Sequence, residues 1–151
     1  MVKDFLTSSE VSALNASFDA NWDRRVKGPD NAAGKRRGFD QFHGMLSWPL
    51  PHSQPFRDLL AHPKLVPYLN TLFGPGWRMD HSPFMLVSQS GYDGEPGGGM
   101  AVHGGGAVGS HGSEPFGPAY YRYANGVMRC GMAVCSFQLA DMLTGDGGFG
   151  V

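Results

Sequence analysis

The stretch Tyr120-Tyr121-Arg122-Tyr123-Ala124-Asn125-Gly126-Val127-Met128-Arg129-Cys130-Gly131-Met132-Ala133-Val134-Cys135-Ser136-Phe137-Gln138-Leu139 decides the architecture. Asn-Gly between two runs of β-favouring residues is a strong short-range hairpin signal, because both residues accept the positive φ that a type I′ turn demands. The second arm reads as one long strand reaching Leu139. Arg129, Gly131, Ala133, Cys135, Phe137 and Leu139 fall on one face; Met128, Cys130, Met132, Val134, Ser136 and Gln138 fall on the other. Both faces are largely apolar near the middle, which predicts a strand covered on both sides. Cys130 and Cys135 then point to opposite faces, which disfavours a mutual disulfide and suggests buried free thiols.

Working back from the hairpin, Phe84-Met85-Leu86-Val87 reads as a further buried strand. The segment before it is helical. Thr7-Ser8-Ser9-Glu10 fits a capping box, and Val11, Leu14, Phe18 and Trp22 follow at helical spacing as one apolar stripe. Asp23-Arg24-Arg25 and Gly28-Pro29 are the expected stop. Residues 27–55 read as an irregular region pinned by Phe39, Phe42, Met45, Leu46 and Trp48, with His43 and His52 in structural or solvated roles. A second helical block spans Pro55 to Phe73 in two pieces, the second starting at Pro63 and ended by Gly74-Pro75. Helices first and antiparallel strands afterwards predict an α+β fold, with the strands forming part of a sandwich or jelly roll.

Length fits a single domain over residues 1–151, helical over 1–75 and strand-forming over 76–151. The net charge of −1 gives no electrostatic attraction to nucleic acid or anionic membranes, so neither is expected as a partner. No apolar run is long enough to cross a bilayer, and Met1-Val2-Lys3-Asp4-Phe5-Leu6-Thr7 has no signal-peptide core, which predicts a cytoplasmic protein. Glycine is the outlier at 23 residues, and 17 consecutive positions hold both a glycine cluster and two histidines: Pro96-Gly97-Gly98-Gly99-Met100-Ala101-Val102-His103-Gly104-Gly105-Gly106-Ala107-Val108-Gly109-Ser110-His111-Gly112. A short apolar approach delivers His103 at a strand end, where glycines let a ligand or metal come close.

The formal Gly-x-Gly-x-x-Gly at Gly104, Gly106 and Gly109 leads into Ser110-His111-Gly112-Ser113-Glu114-Pro115 rather than a helix, so a dinucleotide site is not expected. Walker, Gly-x-Ser-x-Gly and His-Glu-x-x-His patterns are missing, leaving hydrolase chemistry unsupported. A non-haem iron site needs two histidines and a carboxylate on one face. None of the six histidines is followed at two residues by Asp or Glu; Gly105 stands two residues after His103, and Glu114 three residues after His111.

Three blocks in order resemble the phytanoyl-CoA dioxygenase family: Val102-His103-Gly104-Gly105-Gly106; the Tyr-rich arm ending Tyr123-Ala124-Asn125-Gly126; and Phe137-Gln138-Leu139-Ala140-Asp141-Met142-Leu143-Thr144-Gly145-Asp146-Gly147-Gly148-Phe149. The likeness covers roughly residues 60 to 151, and the last block is its most specific part. It implies a double-stranded β-helix and an oxygenase that uses Fe(II) and 2-oxoglutarate to hydroxylate a small organic substrate. On that resemblance His103 is the first iron ligand; Arg129 and Gln138 point from a core-type strand, where they either line the 2-oxoglutarate pocket or are satisfied polar groups at the barrel mouth. The family's later histidine and basic residue have no match here. The resemblance therefore implies an N-terminal fragment that binds iron poorly alone and leaves sheet edges open for self-association. Gly105 departs from the family carboxylate, with Asp93 or Glu114 as alternative sources. The rival expectation is a non-catalytic jelly-roll binding module without a metal site.

Overall fold

The computed structural model describes residues 1–27, 39–88, 121–141 and 143. Helix α1 spans Ser8–Ala20, and its start is the predicted capping box. The Glu10 amide donates to the Thr7 hydroxyl oxygen at 3.3 Å, and the Thr7 amide donates back to the Glu10 carboxylate at 2.7 Å. Two amides that the helix itself cannot satisfy are thereby paired. The helix ends earlier than the charged run suggested. Asn21 is buried, its amide side chain donates to the Ser17 carbonyl, and the chain passes into a 3₁₀ turn at Trp22–Arg24.

Strands β1 (Val26–Lys27), β2 (Phe39–His43) and β3 (Met85–Ser88) form an antiparallel sheet in the order β1-β2-β3. The pairing Phe42↔Met85, Gln41↔Leu86 and Asp40↔Val87 sets its two faces. Phe42 is buried, and Met85 and Val87 pack against the core; Leu86 stays half exposed on the opposite side. The expected irregular region thus contains a strand, and in the expected buried strand at 84–87 Met85 and Val87 pack on the core while Leu86 is 50% exposed.

Aromatic residues join helix to sheet. Phe18 of α1 meets Phe42 of β2 at 6.1 Å and Trp48 at 6.2 Å between ring centroids, and Trp48 meets Phe56 edge-on at 5.6 Å. Leu14 and Met45 complete this buried cluster. Gly44 makes the geometry possible. Its φ of +103° turns the chain out of β2 into the 3₁₀ helix Met45–Ser47, a conformation that L side chains rarely adopt.

Helix α2 (Gln54–Leu60) and helix α3 (Val66–Phe73) are the two predicted pieces. The second begins at Val66 rather than Pro63, after a tight turn in which the Leu65 and Val66 amides both donate to the His62 carbonyl. Proline lacks an amide and clashes with the preceding turn, so starting at Val66 keeps Pro67 in the first turn, where its missing donor costs nothing. Gly74 closes α3 as expected, its amide donating to the Asn70 carbonyl.

Strands β4 (Tyr121–Ala124) and β5 (Val127–Cys130) form the predicted hairpin. Asn125 and Gly126 have φ of +53° and +76°, the two positive values of a type I′ turn. The long second arm is not observed. β5 stops at Cys130, which pairs with Tyr121, and residues 131–141 are irregular. Without a strand to continue the ladder among the described residues, Val134 is 76% exposed and the Cys135 thiol is exposed rather than buried; Cys130 is half-buried. The segment then returns to the body. Phe137 lies 5.6 Å from Phe5, the Asn15 side chain donates to the Leu139 carbonyl at 2.7 Å, and Leu139 packs on the core.

The described residues therefore form a mixed fold of three helices and two small antiparallel sheets.

Candidate functional site

Of the residues singled out in the sequence, Arg129 lies exposed on β5 and Gln138 lies exposed in the returning segment. His103, with Gly105, His111, Asp93 and Glu114, falls outside the described residues, as does the glycine-rich end of the last family-like block. Among the described residues, no three His, Cys, Asp or Glu side chains come together in a way that could hold a metal ion.

The most connected polar node involves a histidine that sequence reading treated only as the start of a helix. His62 is buried, with Nε2 3.0 Å from Glu10 Oε1, and its Nδ1 accepts the Lys64 amide at 3.2 Å. An Nδ1 that accepts leaves Nε2 as the donor, so the ring's Nε2–H donates a hydrogen bond to the carboxylate. Both ring nitrogens are committed. Glu10 is held as well by the Thr7 amide and hydroxyl. The arrangement has the members of a hydrogen-bond relay but no free imidazole nitrogen to take a proton, so it acts as a structural clamp between α1 and the turn before α3.

Those bonds lower the Glu10 pKa from 4.5 to about 2, chiefly through the Thr7 backbone amide, then the Thr7 hydroxyl and His62. A depressed carboxylate stabilises the fold above its unfolded pKa, and that contribution is lost as pH falls through the folded value. Stability should therefore decline between about pH 4.5 and about pH 2. Glu10→Gln should flatten the decline in that window, measured by urea unfolding at successive pH values. An unchanged slope would assign the decline to other carboxylates.

A second group gathers around Gln41 and His43 of β2 and the residues that lead into β3. Gln41 Nε2 and His43 Nε2 are 2.9 Å apart. His43 and His81 both contact the Phe84 ring, at 5.7 Å and 6.2 Å, the second in parallel orientation. Asp80 Oδ2 lies 3.2 Å from His81 Nδ1. The alternation Gln41-x-His43 puts both on one face of β2, a signal that becomes readable only once the segment is a strand.

Two further features carry little chemistry. Desolvation raises the Cys135 thiol pKa, the reverse of what an activated nucleophile needs. A cleft of about 420 Å³ runs between Val2–Phe5 and Lys64, Pro67 and Tyr68. Of the two lysines that line it, Lys64 is already engaged, its Nζ donating to the carbonyls of Asp4 and Phe5.

Among the described residues no helix is long and apolar enough to cross a membrane. No protein-family model matches this chain, and no curated protein or solved structure is significantly similar to it.

Proposed function

We propose that this chain contributes to an Fe(II)- and 2-oxoglutarate-dependent oxygenase acting on a small organic substrate, with the sheets belonging to a double-stranded β-helix. The observation that carries the reading is the sequence order His-Gly-Gly, Asn-Gly hairpin, and Leu139-Ala140-Asp141-Met142-Leu143-Thr144-Gly145-Asp146-Gly147-Gly148-Phe149. The hairpin at Asn125-Gly126 and the preceding helices are compatible with it.

His103 is the iron ligand in this reading, with Asp93 or Glu114 as the source of a carboxylate in place of Gly105. Arg129 and Gln138 face 2-oxoglutarate. Iron bound in such a site supplies oxygen activation coupled to decarboxylation of 2-oxoglutarate to succinate. The described residues do not themselves form a ligand set for it, so no reaction step is assigned to them.

The six histidines provide an internal control for a direct test. Fe(II) is titrated anaerobically into the isotopically labelled chain, and paramagnetic broadening of each imidazole signal is followed by NMR. His103 should broaden first, and His103→Ala should weaken Fe(II) binding at least about tenfold, the scale on which even supporting groups of a metal site act. First broadening at His43 or His81, or uniform broadening of all histidines, would overturn the assignment. A cooperative unfolding transition indifferent to both Fe(II) and 2-oxoglutarate would favour a non-catalytic binding module instead.

A further inference from the structure

Phe5, just ahead of α1, places its ring in an aromatic slot. The ring centroid lies 4.9 Å from that of His62 and 5.6 Å from that of Phe137. One wall thus belongs to the turn before α3, the other to the segment that returns after the hairpin. The His62 wall is buried and fixed through both ring nitrogens, by Glu10 and by the Lys64 amide. At the mouth of the slot stands an ammonium. Lys64 Nζ donates to the Phe5 carbonyl at 2.8 Å and to the Asp4 carbonyl at 3.2 Å, and lies 6.0 Å from the Phe5 ring centroid. A single residue therefore fills both features: a phenyl ring in the slot and, two carbons away, an oxygen on the ammonium.

The residues that carry Phe5 are lightly held. Among the described residues, no backbone–backbone hydrogen bond ties residues 1–6 to the rest of the fold. Asp4 has φ of +52°, a left-handed conformation that a non-glycine residue keeps where its surroundings impose it. The Lys64 bond to the Asp4 carbonyl is one such constraint. Leu6 packs on the core and marks where the lightly held part ends.

We propose that Phe5 stands in for a ligand: the His62/Phe137 slot with Lys64 at its mouth binds an aromatic carboxylate, and residues 1–5 are a strap that such a ligand displaces. The spacing of Phe5 itself defines the class, an aryl ring joined to a carboxylate through two carbons. A carboxylate carries a full negative charge where the strap offers carbonyl dipoles, so it is the stronger partner for the ammonium. Phe5 and Lys64 also border the cleft against Pro67 and Tyr68, so a ligand entering that cleft meets the mouth of the slot. Asp4, the acidic residue of the cleft lining, leaves with the strap. The inference does not rest on the oxygenase reading, since neither iron nor His103 enters it.

The test titrates the full chain, without Fe(II), with hydrocinnamate, whose ring and carboxylate have the two-carbon link of Phe5, and with hydrocinnamide, its neutral counterpart. Saturable NMR shifts at His62, Lys64 and Phe137 are expected with the acid and not with the amide. The Phe5–His62 ring contacts should fade as the site fills. A tethered competitor lowers apparent affinity by the fraction of molecules in which the slot is open, so Phe5→Ala should strengthen binding at least about tenfold. Phe5→Leu keeps apolar bulk, loses the ring and should act in the same direction, which covers an unfolded Phe5→Ala. In the Phe5→Leu background, where the ring no longer competes, Lys64→Met should weaken binding at least about tenfold. Lys3→Met, at the other lysine of the cleft, should change it less than about twofold. Binding that leaves the Phe5–His62 contacts in place would overturn the proposal. So would equal binding of acid and amide, affinity that is unchanged or weaker in the folded Phe5 variants, or no saturable binding to any of them.

Discussion

Phe42→Ala should cost about 3–5 kcal/mol of stability, the usual range for removing a buried phenyl ring. For a chain of this length that corresponds to a fall in Tm of roughly 6–20 °C. Phe42 is 5% exposed and sits where three parts of the structure meet. Its ring lies 6.1 Å from Phe18 on α1, 5.7 Å from Trp22 in the following 3₁₀ turn, and 4.7 Å from the Arg25 guanidinium. The same guanidinium lies only 3.3 Å from the Trp22 ring, so truncating Phe42 also removes one wall of a cation–π stack. Leu86, on the other face of the same sheet and 50% exposed, is the control: Leu86→Ala should stay within about 0.5 kcal/mol. Urea unfolding of both variants decides it, and equal losses would mean that the sheet buries both faces.

Leu14→Asp should have a larger effect still. Leu14 is 1% exposed in the centre of the core cluster, and a carboxylate there has no partner. The effective penalty for an unpaired buried charge is several kcal/mol, comparable with the total of about 5–15 kcal/mol that holds a domain of this kind together. The variant should be largely unfolded at pH 7 by near-ultraviolet circular dichroism. Acidification distinguishes a charge penalty from a shape defect. Burial would raise the folded-state pKa of the introduced carboxyl group above its unfolded value of about 3.9, so stability should recover as pH falls through the raised value. Leu14→Ala, which leaves only a cavity and should cost about 2–5 kcal/mol, should show no such recovery. A Leu14→Asp variant that unfolds identically at about pH 7 and about pH 4.5 would refute the charge explanation.

The parts legible in the sequence were those fixed by local chemistry. Thr7 and Glu10 announce the start of α1, Gly74 announces the end of α3, and Asn125-Gly126 announces a hairpin with its register. Each works through backbone conformation or capping within four residues. What was not legible depended on distant partners. β2 carries the mixed pattern Phe39-Asp40-Gln41-Phe42-His43, and becomes a strand through pairing with β1 and with β3 more than forty residues later. Residues 131–139 have the composition of a buried strand, yet β5 ends at Cys130 and they run as irregular backbone with Val134 76% exposed. Apolar alternation states a preference for extended backbone; it does not supply the neighbouring strand.

The candidate site divides in the same way. Arg129 drew attention as a residue of an expected core-type strand, and it lies exposed on β5. Its opposition to Arg122 follows from the turn type, which two adjacent residues specify. The clamp between Glu10 and His62 was half visible: Glu10 belonged to the capping box, but a partner 52 positions away leaves no local signal. The grouping of His43 and His81 about Phe84 was hidden for the same reason, since it exists only once β2 and β3 are paired.

The hydrogen bond from Asn15 to the Leu139 carbonyl joins residues 124 positions apart. At about 5–20 residues per second, roughly 6–25 s separate the synthesis of one partner from that of the other. For roughly the last 4–17 s of that interval, once Phe56 has been made, α1 has its capping box and Phe42, Met45, Trp48 and Phe56 to pack against, but Leu139 has not arrived to cover it. The nascent chain therefore carries an assembled yet unsealed core for several seconds, the period in which a holdase chaperone would find its apolar surface.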